Sequence, residues 1–502
     1  MRSVLVLAAV AASVSFGCES SSSGEASSTT VTAASVSAAP QAPKPPEKKL
    51  ITITTKSPEA KAALLKALDL DDNGRNEEAL GECNKGVAAD PNFAFGHTCV
   101  GMETPGSAGQ AELDKGLQLA AGLPDAERLS IEAFAAARRQ ETEKYYADRK
   151  RVAELAPDDF HAQVWLGWSL LEKHEFGPAE AAYRKALDLN PKASFAYGWL
   201  TLIQTQLRKY DDALASAKKY AEGAPSEPGA HQALGGALLQ ANQTKEALAE
   251  MTKAVELGPK ARQAYYDLAT VKAITGDFAG ARETLEKSKV AEVHPEDALD
   301  RANNTAWVLF AEGKEADALK LLSETDKDAE TKKLPWPGME DQTRARAMWT
   351  LGKPADAMKA ADAALAKCDS RAESSELYKG NCHRENLYVR ARAQIEAGKL
   401  ADAKKTVDRL REELKKSSQA AWWQVTTDML SDQISGIEKK DAKVASALFA
   451  KCPPEFSTDE LAIVRQAEKD GDKATAELVR KDILGRPVDY IGYPLIARVV
   501  KK

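Results

Sequence analysis

Residues 165–191 read WLGWSLLEKHEFGPAEAAYRKALDLNP. Trp165, Leu166, Trp168, Leu170 and Leu171 fall at helical spacing, so the stretch reads as two helices joined by a turn and closed by Pro191. The proline recurs. Pro91, Pro124, Pro157, Pro191, Pro225 and Pro259 follow one another at steps of 33 or 34 residues. A period of this length marks an array of supersecondary units rather than one packed domain.

Twelve residues before several of these prolines stands an alanine: Ala79, Ala179, Ala213, Ala247 and, aligned on Pro454, Ala442. Five residues before the alanine there is often a glycine, at 74, 276, 313, 352, 398 and 471. Each residue type has a physical reason. Glycine enters the left-handed conformation that ends a helix, alanine lets a second helix cross close to the first, and proline cannot continue a helix. A helix–turn–helix of this size cannot bury its apolar stripe alone, so its neighbours must cover it.

With these residues the chain resembles the tetratricopeptide repeat family. Leu166-Gly167, Ala179, Tyr183, Ala186 and Pro191 stand where that family has its signature, and Leu234-Gly235, Ala247, Ala254 and Pro259 repeat it. The resemblance implies an all-α, right-handed solenoid of about twelve units over residues 57–484, with residues 485–502 as a C-terminal cap.

The front of the chain reads differently. Residues 1–17 carry one basic residue, an apolar run from Val4 to Ala12 and small residues before Cys18, the pattern of a secretory signal peptide. It resembles the bacterial lipoprotein signal, which implies lipidation of Cys18; Ser15 departs from that pattern, and plain signal cleavage would leave a secreted or periplasmic protein. Residues 18–56 are rich in Ser, Ala, Thr and Pro and are expected to form a disordered tether. Glu19, rather than Asp, after the cysteine implies the outer membrane, on its periplasmic or surface side.

The chain of 502 residues has a net charge of −6, which gives no strong attraction to nucleic acid. Of the five cysteines after Cys18, the fold that the resemblance implies brings Cys83 near Cys99 and lets Cys368 and Cys382 close a connection, leaving Cys452 over. The alternative is that all five fill space as small apolar side chains.

Catalytic constellations are not found. The loop from Gly101 to Gly106 has glycines at phosphate-loop spacing but lacks the Lys and Ser/Thr that must follow, and His174-Glu175 lacks the second histidine of a zinc helix. No enzyme, metal or cofactor is therefore expected. The family binds ligands on the concave face lined by the first helix of each unit. Carrying those positions over gives Trp168, Gln232, Tyr266, Asn303, Trp307, Phe310, Gln342, Arg346, Trp349, Tyr388 and Arg392. Aromatic residues are only 6% of the chain yet supply six of these eleven, and Trp, Tyr and Arg are the types that anchor interfaces. Of the carboxylate-gripping set found in some members, only Asn304 and Arg346 match. The rival reading packs the tryptophans between helices, and the paired arginines 344/346 and 390/392 against acids of the solenoid. The expected function is a lipid-anchored envelope scaffold that binds a peptide segment or partner protein; the alternative is a receptor for glycan or peptidoglycan fragments.

Overall fold

The computed structural model describes residues 48–501 apart from 335–337, 371–375, 416–419, 453–456, 486 and 488–491. The expected signal peptide, Cys18, the tether up to residue 47 and Pro454 lie outside the described residues.

Among those residues the chain forms α-helices, one 3-10 turn and no strand. The helices pair in order. The first six pairs are α1 (Pro58–Asp72) with α2 (Asn76–Ala89), α3 (Ala94–Glu103) with α4 (Gly106–Leu119), α5 (Asp125–Arg138) with α6 (Thr142–Leu155), α7 (Phe160–Glu172) with α8 (Phe176–Leu189), α9 (Ser194–Gln206) with α10 (Tyr210–Gly223), and α11 (Pro228–Gln240) with α12 (Thr244–Leu257). The next six are α13 (Arg262–Ile274) with α14 (Phe278–Lys287), α15 (Asp297–Glu312) with α16 (Glu315–Thr331), α17 (Met339–Thr350) with α18 (Pro354–Lys367), α19 (Glu376–Glu396) with α20 (Leu400–Lys415), α21 (Ala420–Lys439) with α22 (Val444–Lys451), and α23 (Ser457–Asp470) with α24 (Lys473–Gly485). A lone helix, α25 (Tyr493–Val500), follows. First helices of most successive pairs touch, as α1 does α3 and α15 does α17, whereas among second helices only α22 and α24 do so comparably. The first helices therefore form the inner, concave layer of an all-α solenoid.

The turn inside each unit explains the repeating glycine. One residue per turn is left-handed: Gly74, Gln140, His174, Arg208, Asn242, Gly276, Gly313, Gly352, Gly398, Lys440 and Gly471. Only the second unit departs, turning through Pro105 and Gly106. Five residues after each left-handed residue lies the close crossing, buried at Ala79, Ala179, Ala213, Ala247, Ala281, Ala318, Ala357, Ala403, Ala445 and Ala476 and replaced by Tyr145 in the third unit. In the eleventh unit the sequence alignment on Ala442 is therefore corrected. Lys440 sets the frame, Ala445 is the buried residue, and Ala442 is an exposed turn residue. Gly167 is needed for a different reason: a Cβ there would come within 2.7 Å of the Tyr183 ring.

The prolines carry a further device. Six residues after Pro91, Pro157, Pro225 and Pro259, the side chains of His97, Gln163, His231 and Tyr265 donate to the proline carbonyl at 3.0, 3.3, 2.9 and 3.2 Å. Two of the six histidines are thus loop clamps. His174 sits in a left-handed turn, not in a metal-binding helix.

Both expected cysteine pairs are disulfide-bonded, Cys83–Cys99 between α2 and α3 and Cys368–Cys382 between α18 and α19, while Cys452 is free and buried.

Residues 49–55, which the sequence places in the tether, are instead docked. Lys49 N–H donates to Asp158 at 2.9 Å, Ile51 N–H to Asp159 at 3.2 Å, Thr54 N–H to Glu127 at 2.7 Å and Thr55 Oγ1 to Asp90 at 2.6 Å. This extended strap crosses the loops that precede α7, α5 and α3 before Ser57 caps α1. Its acceptors are the loop carboxylates of Asp90, Asp158 and Asp159 and, in the first turn of α5, Glu127; Asp159 also caps α7. The strap meets the solenoid at the fourth unit, so the preceding chain joins it there rather than at the end of the array.

Candidate concave binding face

The concave face divides into two parts. Over units seven to ten, the residues expected to form an open groove are buried. Tyr266, Trp307, Phe310, Trp349, Tyr388 and Arg392 are all under 10% exposed, and Trp349 is 2% exposed. The expectation of an open aromatic groove here is corrected, because the chain's own C-terminal helices lie in it.

Helix α25 packs on α23 and α24 and reaches beyond that last pair to α13, α15 and α17. Arg498 donates to the Phe310 carbonyl at 2.8 Å. Arg465 donates to the carbonyls of Trp349 and Thr350 at 2.9 and 2.7 Å, and its guanidinium sits 5.1 Å from the Trp349 ring. Lys469 donates to the Glu396 carbonyl at 3.0 Å. Cations favour the carbonyl-bearing end of a helix, and here the last turns of α15, α17 and α19 each receive one.

Deeper in, Asp459 accepts from Tyr388 Oη at 2.6 Å and from Arg392, which also donates to Gln433 at 2.6 Å. Between these helices remains a cavity of about 20 Å³, lined by Trp349, Arg392, Gln433 and Arg465, with room for about one water.

Other carried-over positions are also engaged inside the solenoid. Gln232 donates to Asp267 at 2.7 Å, and Asn303 and Asn304 donate to the carbonyls of Leu299 and Asp300 at 2.8 and 2.7 Å. Gln342 is half-buried on α17. Arg344, Arg346, Arg390 and Arg392 pair with Asp341, Glu385, Asp362 and Asp459 respectively. The carboxylate-gripping set is therefore not assembled.

The turn between α9 and α10 is tied to the far end of the chain. Arg208 donates to Asp482 at 3.0 Å and to the Cys452 carbonyl at 2.8 Å. Beside it, burial and the charge of Asp482 push the Glu460 carboxyl up to about 8, against the opposing charge of Arg208.

Over units four and five the face is different. Trp168 and Trp199, from the consecutive first helices α7 and α9, meet edge to face with ring centres 4.7 Å apart, and both remain half-exposed. The Glu172 carboxyl is raised by burial, although hydrogen bonds from Tyr145 and Trp168 and the charge of Arg149 pull it down. Arg149 is buried with its guanidinium 3.9 Å from the Phe134 ring centre and 4.8 Å from that of Trp165. On the opposite rim, His161 lies 3.3 Å from Asp72. Burial alone would lower the His161 pKa, but the bond to Asp72 and its charge outweigh that and raise it.

Of the expected residues only Trp168 belongs to this open site. Trp199, Glu172 and Arg149 were missed. Trp199 had a signal, since it stands one 34-residue step after Trp165. Arg149 had none, because it lies on a second helix.

Among the described residues there is no group of three or more His, Cys, Asp and Glu placed to hold a metal ion. No helix among them is long and apolar enough to cross a membrane.

The family model described as Tetratricopeptide repeat matches residues 166–228 and 233–298. No curated protein sequence matches the chain. Solved structures similar to it include MamA from Desulfovibrio magneticus, 22% identical over 33% of this chain and 94% of that one, with a TM-score of 0.31. PilF of Pseudomonas aeruginosa is 16% identical over 40% and 91%, with a TM-score of 0.33. A tetratricopeptide repeat protein from Parabacteroides merdae is 15% identical over 55% and 98%, also with a TM-score of 0.33.

Proposed function

On the premise that this chain is a tetratricopeptide repeat protein, we propose that it is a lipid-anchored scaffold of the cell envelope that binds a peptide segment of a partner protein over units four and five. The observation that carries the site is the Trp168–Trp199 pair. Two large side chains stay half-exposed on the concave side, while the equivalent face further along is filled. Partly exposed tryptophans beside a carboxyl of raised pKa suit a ligand with both apolar surface and hydrogen-bonding groups. The anchoring rests on the sequence before residue 48: an apolar leader, small residues before Cys18 and a stretch that cannot fold alone.

A photo-crosslinking residue at position 199 in intact cells tests the site. Capture of one protein, lost on Trp168→Ala, is the expected result; uniform background labelling would remove the site. Fractionation of Cys18→Ala tests the anchor, with release from the membrane fraction expected. A glycan array applied to the same chain separates the sugar-binding alternative.

A further inference from the structure

Helix α25 has the features of a bound ligand rather than of a repeat. It follows the twelfth pair and packs on helices of several units rather than on one neighbour. It lies across the first helices of units seven to nine, more than a hundred and forty residues earlier in the chain. Its contact chemistry is simple. Tyr493, Leu495, Ile496 and Val500 are buried, Pro494 opens the helix without needing an N–H partner, and Arg498 reaches the end of α15.

The socket for Arg498 is built from main chain. The last turn of α15 presents the carbonyls of Phe310 and Ala311, at 2.8 and 3.5 Å from Nη1. Gly313 then turns left-handed, and a Cβ there would come within 2.9 Å of Nη2. Glycine suits both the left-handed turn and the close approach of the guanidinium. Main-chain carbonyls read charge and donor geometry with no demand on the rest of the ligand's sequence. The apolar part of the socket is Trp307, Phe310 and Trp349, which share one hydrophobic cluster with Leu495 and Ile496.

We propose that the concave face of α13, α15 and α17 is a second peptide groove, occupied in cis by residues 493–500 and open in trans to a partner segment of the same chemistry. That segment is a short apolar helix, opened by proline and carrying an arginine in its last turn. The proposal rests on the reading that this solenoid binds peptides, but on a different part of its face. The chain thereby holds this groove closed until a competing segment displaces α25.

The probe is a labelled synthetic peptide of residues 487–502. It is titrated by fluorescence anisotropy against the full chain and against the full chain carrying Leu495→Asp and Arg498→Glu, which dislodge α25. The expected result is at least tenfold tighter binding to the variant, abolished when Arg498 is replaced by Glu in the peptide as well. Hydrogen exchange on the unmodified chain gives a second reading that does not depend on the variant folding. Residues 493–500 should exchange at least tenfold faster than α15 and α23. Equal exchange of α25 and α15 overturns the proposal, as does a variant that melts like the wild type and binds the peptide no better. If crosslinking at residue 199 still captures a partner in that case, only the second groove is lost. If capture at 199 fails while the peptide binds the variant, the reverse holds.

Discussion

Units four and five and units eight to ten are built alike, yet their concave faces have opposite fates. In the first, Trp168 and Trp199 stand partly exposed; in the second, Trp307 and Trp349 are sealed under α23 and α25. The repeat fixes where a side chain points. Whether that side chain meets solvent depends on chain that is distant in sequence, and a residue's place in the repeat does not reveal it.

The largest effect expected from this difference is on stability. Trp349→Ala should cost about 3–5 kcal/mol, as removal of a fully buried aromatic does. Arg392→Ala should cost a similar ~3–5 kcal/mol because it leaves Asp459 buried without its cation. Thermal melts followed by circular dichroism check both. If Trp349→Ala melts like the wild type, residues 457–501 do not cover the face in solution.

Next in size are the disulfides. The Cys83–Cys99 bond closes a separation of 16 residues, which by loop entropy is worth about 3 kcal/mol. Reduction should free the first two units to unfold ahead of the rest, since neighbours in an array support only each other. Limited proteolysis with and without reductant reads this directly. Cleavage that stays unchanged in α1 to α4 would mean that the docked strap, not the bond, holds them.

A smaller effect tests the closure between unit five and the C-terminal end. Glu460 titrates near 8 in the folded chain against 4.5 for the free side chain, because it is buried beside Asp482. Its neighbours here are Asp459, Asp482, Arg208 and Tyr493. The folded state holds this proton over a range where the unfolded state has released it. Stability from this group therefore falls as pH rises from about 4.5 to about 8. Glu460→Gln should gain on the order of 2 kcal/mol over the wild type at pH 8 and nothing at pH 4. Parallel stability–pH curves for the two chains would show that the carboxyl is not confined as described.

These residues also show what the sequence could and could not reveal. The unit was legible because nearly every copy uses the same left-handed turn, close crossing and loop. It was legible even where glycine is missing, since Gln140, His174, Arg208, Asn242 and Lys440 hold the turn in its place. Ala442 misled because proline spacing was trusted over turn spacing. Arg208–Asp482, Arg465 with α17 and Arg498 with α15 are contacts between units far apart in the chain. They follow no period, so nothing in the repeat announces them. The groove expected over units seven to ten is filled for that reason. The aromatic residues expected to line a groove over units seven to ten are buried instead, and the repeat pattern does not encode that coverage.

The smallest effect on stability is expected where the effect on binding is largest. Trp168 and Trp199 touch each other edge to face but leave part of each ring in water. Removing one ring forfeits their mutual contact, worth about 0.5–1.5 kcal/mol, and only part of its burial. An interface tryptophan replaced by alanine commonly costs 2 kcal/mol or more of affinity, roughly thirtyfold. Trp199→Ala should therefore melt within a few degrees of the wild type while losing most capture of a partner. Trp307→Ala should do the reverse, melting early while capture at units four and five persists in the fraction that stays folded. The two variants form a cross. If Trp199→Ala melts early and still captures, the tryptophan pair is packing and the open part of the face must be sought elsewhere along the first helices. If both lose capture without loss of stability, the C-terminal helices are not seated as described, and the concave face is one continuous groove.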